Sequence, residues 1–413
     1  MLAYLTDLEG QWNKLVAFAD ANPCVRLDSD GALHVAPGSV FVFGGDAIDR
    51  GDASRRIVRT LLDAKTRQPD RVVLIAGNRD LNKMRLVREL AGAPPTKAPP
   101  ELRDAPPEVL LPWILANTMG AKAAFEHRRA ELAREGAATD DVAVTRSFLD
   151  DVAPDGALTR YLAACQLAWF DGATLIVHGA VTEENLGVVP GRDDVLPTVD
   201  AWVAALNAFL EGEVTSWRRS LDGPPPTARE DWPGRAIVDY QCPIPDTKLN
   251  QRSVVYGRPT DARNTPWLPP RRVVSRLRDE GVRRLLVGHT PGGDAPAALR
   301  DEAFTFLMAD NSYGRVETGS RVRVDGDTLT VQGVTELDDG SRVEVGYAVA
   351  GDDDALLGRR DTATEQLVKA RLATGDYLLF QALPDNKVSQ VAVSPRALRE
   401  RPLSPPYAEA AEC

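Results

Sequence analysis

The chain has 413 residues, 43% of them hydrophobic and 26% charged, with 49 basic against 60 acidic side chains for a formal charge of -11. That length allows a catalytic domain of about 200 to 250 residues with additions. The acidic balance disfavours non-specific binding to a polyanion, so nucleic acid is not expected as a partner.

No apolar run approaches the roughly 20 residues that cross a bilayer, so no membrane association is expected. The opening MLAYLTDLEG has no basic segment followed by an apolar one, which predicts a cytoplasmic protein without a secretory signal. Cys24, Cys165, Cys242 and Cys413 are widely spaced and form no CxxC pair, so neither a zinc knuckle nor a disulfide framework is expected.

In chain order, short apolar runs end in polar or glycine-rich turns: Leu2 to Thr6 before Asp7, Val40 to Phe43 before Gly44, and Val72 to Ala76 before Gly77. Leu175 to Val177 before His178 and Leu285 to Val287 before Gly288-His289 repeat the pattern. Runs hydrophobic on both faces predict strands buried between helices, an α/β architecture. Polar residues just past such strand ends are where open α/β sheets bind ligands, so the five turns predict one site assembled from distant pieces of chain.

From Leu81 the texture becomes helical, interrupted by the proline-rich stretch Ala93 to Pro107, which predicts an inserted cap over 81–164. Residues 1–80 and 165–314 are expected to form the core. A polar loop holds Asn250, Gln251, Arg252 and Arg258. From about Arg315 the alternation in RVRVDGDTLTVQGV and SRVEVGYAVAG predicts a β-rich accessory domain over 315–403, with 404–413 as a tail.

The strongest local signal is Gly44-Gly45-Asp46-Ala47-Ile48-Asp49-Arg50-Gly51. Glycines let the backbone turn sharply after a strand so that Asp46 can reach a metal, with Asp49 and Arg50 as supporting or phosphate contacts. Here the sequence resembles the calcineurin-like metallophosphoesterases, whose signatures are DxHG, GDxxDRG, GNHE or GNHD, HGG or HAG, and a final GH. Their counterparts appear in order as Asp7-Leu8-Glu9-Gly10, Gly45 to Gly51, Gly77-Asn78-Arg79-Asp80, His178-Gly179-Ala180 and Gly288-His289. The set looks closest to the phosphoprotein-phosphatase and dinucleoside-tetraphosphatase branch.

The resemblance implies a four-layer β-sandwich flanked by helices and a two-metal centre. Asp7 and Asp46 would bind the first ion, with Asp46 shared. Asn78, His178 and His289 would complete the second. Two sequence departures stand out. Glu9 replaces a metal-binding histidine, and as a ligand it would make the first position all carboxylate, favouring Mn²⁺ or Mg²⁺ over Zn²⁺, with Fe a further candidate. The alternative is that Glu9 points away, the first position is weak, and the chain holds one tightly bound ion. Arg79 replaces the histidine that in many family members protonates the leaving group, and a guanidinium is a poor acid but a good partner for phosphate oxygens.

Asp46, Asn78, Arg79 and Asp49 are therefore the expected catalytic residues. Arg50, Arg79, Asn82, Lys83, Arg85 and Arg252 are expected against a small phosphorylated substrate, with Arg258 as a further candidate. The expected reaction is hydrolysis of a phosphomonoester of a small metabolite or nucleotide by metal-activated water. Phosphodiester or nucleotide pyrophosphate hydrolysis, and a non-catalytic phosphate-binding scaffold, are the alternatives.

Overall fold

The computed structural model describes residues 1–407 except 225–227, 246, 248, 262, 317–318 and 352–353. In chain order its strands are β1 (Leu2–Leu5), β2 (Val25–Leu27), β3 (Leu33–Val35), β4 (Val40–Phe43), β5 (Val72–Leu74), β6 (Ala168–Phe170), β7 (Thr174–Val177), β8 (Arg284–Val287) and β9 (Ala297–Asp301). They continue with β10 (Phe304–Met308), β11 (Arg321–Asp325), β12 (Thr328–Glu336), β13 (Arg342–Val349), β14 (Arg360–Asp361), β15 (Leu367–Arg371), β16 (Tyr377–Ala382), β17 (Val388–Val393) and β18 (Leu403–Ser404).

One six-stranded sheet runs β13-β12-β11-β1-β4-β5 and a five-stranded sheet runs β6-β7-β8-β10-β9. At their centres β1, β4 and β5 are parallel, as are β7, β8 and β10. Successive side chains on a strand point to opposite faces. Tyr4, Val42, Ile75, Ile176, Leu286 and Leu307 accordingly join one apolar cluster fed by both sheets, while Ala3, Leu5, Phe41, Phe43, Leu285 and Val287 join another shared with helices. This is a layered α/β sandwich, and it explains why its central strands read as unbroken apolar runs.

The alternating segment after residue 315 is not one domain. β11 pairs antiparallel with β1, Leu2 opposite Val324, so β11 to β13 extend the first core sheet. The separate antiparallel sheet is only β17-β16-β15-β14-β18. Alternation in β12, whose buried residues recur at every second position along most of its length, marks a strand with one solvated face; it does not say which sheet the strand joins. The expected tail is also packed as far as residue 407: Ser404 pairs with Arg360, and buried Tyr407 lies under the Arg271 guanidinium. Residues 408–413 lie outside the described set.

Between β5 and β6 the chain forms helices that include Pro107–Thr118, Ala124–Arg134, Asp141–Asp151 and Ala157–Ala163, and it returns to the sheet where Gln166 bridges Ile75. This insertion is tied to the helix Ser54–Arg67, which has no side-chain cap of its own. Glu131 instead accepts hydrogen bonds from the Arg55 and Arg56 amides of its first turn, satisfying donors that a helix start leaves open. No helix among the described residues is long and apolar enough to cross a membrane.

The C-terminal sheet reaches the loop after β8 through Lys369, which is fully buried and donates to Gly292 O and to Gln390 Oε1. Burial pushes its ammonium down to about 7 against the pull of Asp294. Such a lysine binds fewer protons folded than unfolded between about pH 7 and its free value near 10.4, so its contribution to stability rises with pH across that window. Urea unfolding of wild type and Lys369→Met at the two ends of the window is expected to show wild type gaining relative to the variant as pH rises. A constant difference would mean that the ammonium is not desolvated.

Candidate metal centre

The turns after β1, β4 and β8 share an unusual backbone feature. Of the ten non-glycine residues with positive φ among those described, five are Asp7, Glu9, Asp46, Asp49 and His289. L-residues avoid this region, and their clustering marks turns held in place by surrounding structure. The Asp7 amide donates to Gly45 O and the Glu9 amide to Asp46 O, both at 2.9 Å, lacing two of the turns together. Two motif glycines are required by contact. A Cβ on Gly77 would lie 2.1 Å from Asp46 Oδ1, and one on Gly288 would lie 2.2 Å from Asp7 Oδ2.

Asp80 holds this scaffold. It is fully buried and accepts from the Asp46, Ala47 and Gly77 amides at 3.0, 2.9 and 3.1 Å. Burial, reinforced by Asp46, pushes its carboxyl up to about 7.

Ligand-capable atoms of Asp46, His178 and His289 all lie within 4.8 Å of one another, and all three residues are buried. Asn78 Oδ1 joins them, 2.8 Å from His289 Nδ1 and 3.3 Å from His178 Nε2. His178 Nδ1 is 2.8 Å from Gly44 O, which turns Nε2 toward Asp46 Oδ1 at 3.3 Å. His289 Nε2 is buried without a hydrogen-bond partner.

Burial lowers His178, but Asp46 outweighs it and the imidazole is pushed up to about 10, so a dication bound beside Asp46 would take the place of that proton. Burial, with Arg258 and His178 adding to it, pushes His289 well below its ordinary value, leaving it neutral as a metal ligand must be. Burial raises Asp46, yet His178, Arg79 and His289 hold it at about 2. One carboxylate, one amide and two imidazoles, one with an orphaned buried nitrogen, fit a divalent ion.

The position expected for a first ion is built differently. Both Asp7 carboxylate oxygens lie 3.2 Å from the His289 amide, and Oδ2 also accepts from the Thr6 hydroxyl at 2.6 Å. Glu9, expected as a ligand, instead has Oε1 at 2.6 Å from Arg79 Nε and Oε2 at 3.2 Å from Arg50 NH1. Burial raises its carboxyl to about 7 even so. Arg79 Nε also stands 3.4 Å from Asp46 Oδ2, and its NH1 3.7 Å from Asp49 Oδ2.

A cavity of about 340 Å³ opens on this cluster. Asp46, Asn78, Arg79, His289, Asn82 and Arg85 line it, joined by Met119 and Gly120 from the helical insertion. Three expected substrate contacts are placed elsewhere. Lys83 is buried against Asp49 at 2.7 Å and also donates to Asn82 Oδ1 and Arg79 O, so Asp49 and Lys83 are an internal pair. Arg50 stacks on Tyr313 with its guanidinium carbon 3.4 Å from the ring centre, held there by Glu9. The Arg252 side chain is 75% exposed beside Glu184 and outside the cavity wall.

Arg258, from the same loop, does line the cavity, and its Nε is buried without a partner. Sequence position gave no basis for separating it from Arg252. Tyr256, Tyr313 and Asp310 also line the cavity, the Tyr256 ring centre lying 4.9 Å from that of His289. Lys14, buried in the helix Trp12–Asp20 and donating to Asn311 O at 3.1 Å, was missed because no local motif marks it.

Residues 2–204 match the family model described as calcineurin-like phosphoesterase. No curated protein matches the chain. Among solved structures, a cold-active protein tyrosine phosphatase is similar at 14% identity and TM-score 0.46, over 83% of this chain and 78% of its own. A protein serine/threonine phosphatase from Saccharomyces cerevisiae is similar at 13% identity and TM-score 0.36, over 85% and 81%. A metallophosphoesterase from Sphaerobacter thermophilus is similar at 12% identity and TM-score 0.29, over 85% and 88%.

Proposed function

We infer from the calcineurin-like phosphoesterase domain that this chain carries over residues 2–204 that the enzyme, a hydrolase of phosphoester bonds, acts on a phosphomonoester of a small metabolite or nucleotide. The observation that carries the substrate class is the cavity. At about 340 Å³, walled partly by the helical insertion, it has the size of a small-ligand pocket. Asp46, Asn78, His178 and His289 would hold a divalent ion, which would supply a Lewis acid for a phosphoryl oxygen and acidify water. Two imidazole nitrogens beside two oxygens suit a transition dication over Mg²⁺, and Mn²⁺ is the one we propose.

The chain's own groups then do the following. Arg79 and Arg258 bind phosphoryl oxygens, and their fixed guanidiniums meet the charge that develops there without reorganising. Burial opposes the Arg79 charge, but Glu9, Asp46 and Asp49 more than restore it, so this residue does not act as a proton donor. Asp80 has its oxygens occupied by three amides. The leaving group therefore departs as a stable anion or takes its proton from water, which favours aryl, anhydride or sugar-1-phosphate leaving groups. The same condition supports nucleotide pyrophosphates as the second reading.

A series of aryl phosphates of equal size and graded leaving-group acidity tests this. Rates should rise steeply with acidity after reloading with Mn²⁺ and vanish after chelation. A flat series sinks the leaving-group argument, and turnover that survives complete chelation sinks the metal assignment.

Arg258→Ala should lower kcat/KM by roughly 10- to 100-fold, the equivalent of about 1.5–3 kcal/mol for a hydrogen bond to a charged group. Arg252→Ala should leave it unchanged. Equal effects of the two substitutions would remove Arg258 from the substrate site.

A further inference from the structure

We propose that this chain holds one divalent ion, not two, and that the guanidinium of Arg79 stands as the cation in the place of a second. The inference rests on the phosphoesterase reading of the site and concerns its metal count.

Asp46 divides the centre. Its Oδ1 faces the His178 imidazole at 3.3 Å, on the side where Asn78 and His289 converge, and its Oδ2 faces Arg79 Nε at 3.4 Å. On the Arg79 side the carboxylates of Glu9 and Asp7 are already engaged. Both Glu9 oxygens are paired with guanidiniums, at 2.6 and 3.2 Å, and Asp7 is engaged by the Thr6 hydroxyl and the His289 amide. Glu9 and Arg79 are the two positions at which the sequence departs from the family pattern, and the two departures meet as an ion pair. Each explains the other. An acid in place of one histidine is balanced by a base in place of the second.

Glu9 and Asp46 are both faced by Arg79, and Arg50 also stands against Glu9. A second dication would have to displace a guanidinium that is 12% exposed and leave it buried without its carboxylate. Breaking a buried pair in this way is strongly unfavourable. Arginine stays protonated at any accessible pH, so the pairing persists wherever the protein is folded. Arg79 can hold a phosphoryl oxygen and its charge, but it cannot acidify a water.

The full chain, stripped with chelator, reloaded with excess Mn²⁺ and freed of unbound ion, should carry one Mn²⁺ per chain by elemental analysis. Its electron paramagnetic resonance spectrum should be that of an isolated ion. Glu9→His/Arg79→His should take up a second ion and show exchange coupling. Two ions in wild type overturn the proposal while leaving the phosphoesterase reading intact, and the wild-type count depends on no variant folding. One ion in both proteins overturns the assignment of the Glu9–Arg79 pair as the obstacle. No bound ion in wild type overturns the metal site itself and the functional reading with it.

Discussion

Asp46→Asn is expected to abolish practical turnover while leaving the fold intact. Asp46 is the only carboxylate within reach of both imidazoles among the described residues, and its second oxygen faces Arg79. The amide keeps the shape but removes the charge that would hold an ion and that faces Arg79. Losing the several kcal/mol that a metal ion contributes to charge stabilisation corresponds, at 1.4 kcal/mol per tenfold, to a fall on the order of 10³-fold in kcat/KM. Bound metal should fall in parallel. The measurement pairs aryl phosphate kinetics with elemental analysis and circular dichroism. Activity within tenfold of wild type, on a folded variant, would place the chemistry elsewhere.

The parts of this site that were legible in the sequence share a physical cause. Parallel strands buried on both faces appear as apolar runs, and the turns that follow them carry the polar residues, so Asp7, Asp46, Asn78, His178 and His289 could be picked out locally. What was illegible depended on long-range placement. Lys14 lies on an ordinary amphipathic helix, and its partner Asn311 is 297 residues away in sequence, so only the folded chain brings the two together.

Arg252 and Arg258 are equivalent as residues in a loop. Hydrogen bonds between Gln251 and the Arg258 backbone close that loop and select which one reaches the cavity. The strands β11 to β13 carry the alternation of any half-solvated strand, and only the pairing of Leu2 with Val324 assigns them to the core. Glu9 is the instructive case. Read alone it offers two oxygen donors to a metal, and only the fold shows those oxygens paired with Arg79, distant in sequence, at 2.6 Å and with Arg50 at 3.2 Å.

Lys83→Met is expected to cost about 3–5 kcal/mol of stability, the penalty for leaving one member of a buried ion pair alone. The sequence places Lys83 beside the metal turn, where a basic residue suggests a phosphate contact. In the fold both Lys83 and Asp49 side chains are 1% exposed and 2.7 Å apart, with the remaining Lys83 hydrogens directed at Asn82 Oδ1 and Arg79 O. Removing the lysine strands the Asp49 carboxylate, whose next cationic neighbour is Arg79 NH1 at 3.7 Å. Arg79 would be drawn toward Asp49 and away from Glu9, so the loss of stability should be accompanied by a fall in kcat.

Lys83→Met/Asp49→Asn discharges both partners and should recover part of the loss, with a coupling of about 0.5–3 kcal/mol between the two sites. Urea unfolding of the four proteins measures that coupling. A phosphate-binding lysine would behave otherwise: Lys83→Met would unfold at the wild-type urea concentration, raise KM, and show no coupling to Asp49. The two roles therefore separate on stability alone, before any substrate is known.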